Sequence, residues 1–224
     1  MKRLVSLLTN DGVDAIDILS CRHEEADTRL IFHANHAAIS GHKNVVIVAD
    51  DTDVMIIGVA HASEISGTVF QKRGNQNRTR LINLTQLANV LGPEATALLG
   101  IYAFTGCDSV SSFAGKGKLP ALKLMRKDKR FIELFHRLGQ DLTVTEDDMA
   151  LIEEFVCCLY GGQKLNVNNV SELRYLLFCA KGAEIGSHQL PPSRGCLLKH
   201  IIRANYRVYI WRRSLDANGY ASRT

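Results

Sequence analysis

No C-x-x-C pair occurs among the six cysteines of this 224-residue chain, Cys21, Cys107, Cys157, Cys158, Cys179 and Cys196. That spacing argues against a structural zinc site. Several of these thiols lie in apolar runs, as reduced, buried cysteines of an intracellular protein do. No apolar run approaches the roughly 20 residues that a bilayer-spanning helix needs. The opening segment, Met1 to Leu8, is too short for a signal peptide because Asn10 and Asp11 end it. The chain is therefore expected inside the cell, in nucleus or cytoplasm, and no strong basic run directs it to the nucleus. Neither an internal repeat nor a low-complexity tract stands out. Charge of one sign is not in excess: a net +4 permits a polyanionic partner without demanding one. With 46% hydrophobic and 22% charged residues, the composition is that of a globular chain.

What is present alternates. Ala15 to Leu19 reads as a short strand, and a helix follows from His23 to about Ser40, with acidic residues in its first turn. Val45-Val46-Ile47-Val48-Ala49 is a continuous apolar run, the pattern of a central strand covered on both faces. Val54 to Ala60 reads as a short buried helix. Thr68 to Lys72 and Arg80 to Asn83 read as strands around a polar loop, Gly74 to Arg78. Asn83 is placed to cap a helix through Leu91, and Pro93 opens another running to Phe104. Strand and helix in turn predict an α/β sheet. From Leu119 the pattern becomes mainly helical. Thr145 with Asp148, and Asn169 with Glu172, resemble capping boxes. Pro191-Pro192 precedes a last long helix, about Arg194 to Arg213. A soft boundary is expected near residue 140.

Three acidic clusters fall at junctions between elements. Glu24, Glu25 and Asp27 stand where a strand passes into a helix. Asp50, Asp51 and Asp53 follow the central strand. Asp108 lies in Thr105-Gly106-Cys107-Asp108, just past a buried helix. Ligands of open α/β sheets bind beyond the carboxyl ends of the strands. Carboxylates that converge there repel one another and stay ionised together only if cations neutralise them. Oxygen ligands favour Mg²⁺ or Mn²⁺ over zinc or copper. Taken singly, each cluster also fits a plainer role, as a helix-dipole partner, a cap or a turn residue.

In this order the motifs resemble the internal region of the flap-endonuclease/XPG group of the PIN-like nuclease superfamily. Glu25-Ala26-Asp27 resembles the family's paired acids at a helix start, and Asp51-Thr52-Asp53 its D-x-D after the central strand. Gly106-Cys107-Asp108 resembles its G-x-D element. Gly115-Lys116-Gly117-Lys118 resembles the turn of its DNA-gripping helical motif. The chain is more similar still to a set of animal proteins sharing the strings H-E-E-A-D-T-R, D-T-D-V, T-G-C-D and G-K-G-K. The resemblance implies a three-layer α/β/α domain with a mainly parallel sheet over residues 1–140 and a helical extension over 141–224. It also implies a two-metal Mg²⁺ or Mn²⁺ site held by Glu25, Asp27, Asp51, Asp53 and Asp108, and phosphodiester cleavage in DNA or RNA, as by a structure-specific endonuclease. Gly115, Lys116, Gly117, Lys118 and Lys123 would bind the nucleic acid backbone. Residues two apart on a helix do not share a face, so Glu25 pairs with Asp27 only from the helix edge; Glu24 is the geometric rival.

The family begins with an Asp-bearing strand and carries a further acid before the region matched here, and neither has a counterpart in this chain. A first strand is thus expected to be missing. The alternative is a nuclease-derived protein that binds nucleic acid or scaffolds without turnover. A haloacid-dehalogenase-like phosphatase is a further reading, with Asp51 as nucleophile and Asp53 as general acid, but it leaves Glu25, Asp108 and the glycine-lysine turn without a role. Lys199, Arg203 and Arg207 recur every four residues on the last helix, forming a basic stripe or a solvated face. His33, His36 and His42 form no zinc pattern.

Overall fold

The structure is a computed structural model that describes residues 6–9, 12–15, 19, 23, 25–75, 78–181, 186 and 189–217. It is mixed α/β and mostly helical, and divides into two compact units. The first comprises residues 1–96 and 210–224, the second residues 97–209. Position 140, the expected boundary, falls inside the second. No single helix among the described residues is long and apolar enough to cross a membrane.

In the first unit, β1 (Ser6–Thr9) pairs antiparallel with β2 (Gly12–Ala15). The strand expected over Ala15 to Leu19 lies mostly outside the described residues. Next come α1 (Ala26–Ile39), β3 (Asn44–Val48), α2 (Thr52–His61), β4 (Thr68–Arg73), β5 (Arg80–Asn83) and α3 (Leu84–Leu91). The sheet order is β3-β4-β5, with β3 and β4 parallel and β4 and β5 antiparallel. This β3-α2-β4 unit is the parallel crossover that the alternating pattern predicts.

Two expectations about this sheet are corrected. It is mixed, not mainly parallel. The apolar run at 45–49 forms not a central strand but an edge strand of the described sheet. One sheet face carries Ile47, Val69 and Gln71, all buried, and packs toward α1 and α3. The opposite face carries Val46, Val48 and Leu81, exposed by 49%, 73% and 60%. The register sets Val46 beside Phe70, and Val48 and Leu81 on either side of Lys72. A third layer over this face, expected from the family, is not among the described residues.

Helix α2 is apolar all round and correspondingly buried, from Asp53 to His61 apart from the half-buried Met55. At its far end His61 is tied down twice: Nδ1 lies 2.8 Å from Glu64 Oε1 and Nε2 lies 2.8 Å from the carbonyl of Trp211. The hydrogen bond to His61 holds the Glu64 carboxyl below its ordinary value, against a smaller opposing push from burial.

The second unit contains most of α4 (Glu94–Phe104), then α5 (Lys118–Met125), α6 (Lys129–Arg137), α7 (Glu146–Leu159), α8 (Val170–Lys181) and α9 (Arg194–Trp211) up to Tyr209. Helix α7 is its hub, touching α5, α6 and α8. It buries Met149, Ile152, Val156 and Leu159, a three-to-four-residue rhythm that lays an apolar stripe inward. Phe155 from the same helix meets Phe104, Phe131 and Phe135 edge-on, with ring centroids 4.9 to 5.9 Å apart. Such pairs each add about 1 kcal/mol beyond their area burial.

Helices α4 and α6 meet at Gly100, where a Cβ would stand only 2.9 Å from the carbonyl carbon of Phe135. The expected caps form. Thr145 and Asp148 make a reciprocal capping box, and Asn169 accepts from the amides of Ser171 and Glu172 at 2.9 and 3.0 Å. Of the five described cysteines only Cys157 is buried, and burial pushes its thiol up to about 12; Cys107 and Cys158 are half-buried, Cys179 and Cys196 exposed.

Candidate functional site

Backbone geometry fixes where the first two acidic clusters stand. Helix α1 touches β3 and joins it through the four residues 40–43, so it runs back antiparallel to the strand. Its 14 residues span about 21 Å and the five of β3 about 16 Å. The N-terminus of α1 is therefore carried to the carboxyl edge of β3, where Asp50, Asp51 and Asp53 lie. Both clusters open helices at one edge of the parallel pair, the edge at which α/β sheets bind ligands.

Each carboxylate has a definite station. Glu25 is the N-cap residue of α1, with extended backbone and no capping bond from its side chain. It thus occupies the helix edge that a Glu25/Asp27 pair requires. Asp27 follows in the first turn, half-buried. Glu24 lies outside the described residues. Asp51 caps α2, its Oδ1 accepting from the Asp53 amide at 2.9 Å. Asp53 itself is buried. Asp50 is exposed and accepts from the Gly74 amide at 2.5 Å.

One residue that sequence reasoning missed holds this edge together. Gln71, on β4, is fully buried. Its side-chain amide nitrogen donates to the carbonyls of Ala49 and Asp51, each at 2.8 Å. Both its protons are thus spent on the turn that carries the aspartates. The Gln71 Oε1 is buried with no partner among the described residues. Turning the amide over would set that oxygen against two carbonyls, so the orientation is fixed. The only trace in the sequence was a polar residue two positions after Val69, on the buried face of a strand.

The oxygen donors at this edge suit a hard divalent ion by chemistry. Among the described residues, however, no three His, Cys, Asp or Glu side chains are gathered to hold a metal. Asp108 belongs to the second unit. It lies exposed in a tight turn in which Cys107 and Val110 exchange backbone hydrogen bonds of 3.0 and 3.1 Å.

The glycine-lysine turn is also in the second unit. Gly115 has φ +66° and Gly117 precedes α5 as its N-cap; a Cβ at either would meet nothing within 4 Å. That backbone is open to close approach. Its lysines, by contrast, are drawn inward. The Lys118 ammonium donates to the carbonyls of Gly106 and Tyr102 and lies 3.8 Å from the Tyr102 ring centre. Lys116 lies 5.0 Å from the ring centre of Tyr160. Lys123 alone among the three lysines is exposed. Of the basic stripe on α9, Lys199 and Arg203 are exposed, and Arg207 donates to Ser109 Oγ at 2.7 Å.

A scan against protein-family models, a search of curated proteins and a search of solved structures each returned no match.

Proposed function

We propose that this chain is a nuclease-like protein of the divalent-metal-dependent, PIN-like/XPG type, acting on phosphodiester bonds of nucleic acid. The observation that supports this most is the shared edge. Two acidic segments, Glu25-Ala26-Asp27 and Asp51-Thr52-Asp53, open two helices at the carboxyl end of one parallel strand pair. Glu25, Asp27, Asp51 and Asp53 are the residues that would hold Mg²⁺ or Mn²⁺. When bound, such an ion supplies a polarised water and a counter-charge for the phosphate. The chain's own contribution is placement: the Asp51 cap fixes the start of α2, and Gln71 fixes the turn before it. A reading as a structural protein without turnover is favoured by Lys118, whose ammonium is engaged with backbone carbonyls.

The deciding experiment is cleavage of end-labelled flap and single-stranded DNA and RNA by the full chain with Mn²⁺. Cleavage should vanish with EDTA, with Asp53→Asn and with Asp27→Asn, while circular dichroism stays unchanged. Absence of both cleavage and salt-sensitive binding in the folded chain would select the second reading. Cleavage that survives both substitutions would overturn the assignment.

A further inference from the structure

The second unit holds a cavity of about 370 Å³, whose walls include Ser111, Tyr160, Arg174, Ser193, Cys196 and His200. No aspartate or glutamate is among the described residues lining it. Arg174 brings a guanidinium, one nitrogen of which donates to the Pro191 carbonyl at 2.6 Å. Lys116, over the ring of Tyr160, adds a second positive charge beside the wall. The setting favours a small anion.

His200 sits on α9 and is only 7% exposed. Its Nε2 is 2.7 Å from the carbonyl oxygen of Phe104. A carbonyl can only accept, so Nε2 carries the ring proton. Nδ1 of the neutral ring is then an acceptor, and Ser111 Oγ stands 3.1 Å from it. The serine hydroxyl therefore donates to a bare imidazole nitrogen. The rings of Phe104 and Phe113 pack edge-on against His200, with centroids 5.2 and 4.7 Å away, and hold its plane. Burial, aided by the nearby charge of Arg203, pulls the imidazole below its ordinary value, against the opposing hydrogen bond to Phe104. Ser111 is exposed at the cavity while its base lies behind it. A nucleophile within reach of a base that a third group orients is the arrangement nucleophilic catalysis requires.

We propose that this cavity is a second active site, in which Ser111 is the nucleophile, His200 the base and a small carboxylic ester with an anionic group the substrate. Ser111 Oγ attacks the ester carbonyl carbon and its proton passes to His200 Nδ1. The tetrahedral adduct collapses, the carbon–oxygen bond to the alcohol breaks, and the departing alkoxide takes that proton. Water, deprotonated by the same nitrogen, then releases the carboxylic acid and restores the serine. Arg174 holds the substrate's negative group.

The test uses the full chain in EDTA, so that its outcome is independent of any metal-dependent nuclease activity. A fluorophosphonate probe, which phosphonylates activated serines, is followed by peptide mass spectrometry. The adduct is expected on Ser111 and not on the neighbouring Ser109 or Ser112. H200Q keeps a donor toward Phe104 but has no basic nitrogen to take the Ser111 proton, and should slow labelling by about 100-fold. Hydrolysis of mono-p-nitrophenyl succinate should exceed that of p-nitrophenyl acetate, and R174M should erase the difference. S111A should abolish both activities while retaining the wild-type circular dichroism. Absence of an adduct on Ser111 in the wild-type chain would overturn the proposal, as would folded H200Q labelled at the wild-type rate. If H200Q does not fold, equal labelling of Ser111 and Ser112 in the wild type overturns it instead.

Discussion

Replacing Gly100 by alanine poses a question of sign. Gly100 lies inside α4, where alanine is the better helix former by about 1 kcal/mol, so an unobstructed G100A would stabilise the chain. It is not unobstructed: the new Cβ would meet the carbonyl group of Phe135, with the carbon at 2.9 Å and the oxygen nearer still. The obstacle is backbone, which cannot rotate away. Helices α4 and α6 would have to part by roughly 1 Å in an interior packed like an organic crystal. Overpacking of this kind costs about 3 kcal/mol at the upper end of its usual range. The net is a loss of about 2 kcal/mol, or about 4–8 °C in the melting midpoint of a chain this long. Gly58→Ala is the matched control. It too lies within a helix, but its Cβ would meet the methyl end of a side chain, Leu84 Cδ1 at 2.6 Å. A small rotation relieves that contact, so gain and cost should cancel to within about 0.5 kcal/mol. Thermal melts followed by far-ultraviolet circular dichroism suffice. If G100A melts at or above the wild type, or no lower than G58A, the close approach of α4 and α6 is wrong.

Two more substitutions probe the second unit. Asn205 is buried; its oxygen accepts from the Gly139 amide at 2.7 Å and its nitrogen donates to the Asp141 carbonyl at 2.9 Å. N205A orphans both backbone groups and should cost about 2–4 kcal/mol in urea unfolding, and an undiminished midpoint would remove this bridge from the account. Burial pushes the Asp148 carboxyl up, but hydrogen bonds from Arg137 and Thr145 outweigh it and hold it below its ordinary value. A depressed carboxylate contributes stability above its unfolded pKa of about 3.9 and loses it as pH falls through the lower folded value. D148N should therefore melt below the wild type at pH 7, and the gap should narrow as pH falls below about 4; a gap that does not narrow on acidification would refute the linkage.

Much of the element order was legible because the chain punctuates itself. Asn83, Thr145 and Asn169 cap their helices as their side-chain chemistry predicts, and Pro93 stands just ahead of α4. The parallel crossover followed from a strand, a buried helix and a second strand within thirty-odd positions. The status of the 45–49 run was not legible. Five apolar residues look the same whether a layer covers both strand faces or one, and periodicity cannot tell a covered face from a wet one. That Asp51 and Asp53 follow a parallel strand, and that Glu25 and Asp27 open the helix before it, could be read from order alone. The Gln71 clamp could not, because a single amide in a strand carries no pattern. Ser111 and His200 are 89 positions apart, and only the fold makes them neighbours. The glycine-lysine turn misled in one respect: charge in a sequence says nothing of where an ammonium finds its acceptors, and Lys118 finds them in backbone carbonyls.

The uncovered sheet face has a thermal consequence. Val48 and Leu81 keep more than half of their area in water in the native chain, and Val46 about half. Unfolding exposes correspondingly less new apolar area there, and apolar exposure is what makes the heat capacity of unfolding large and positive. A domain of equal length roofed on both sides would show a more steeply curved free-energy profile against temperature. These three side chains lower the curvature by the small share of apolar area they keep in water.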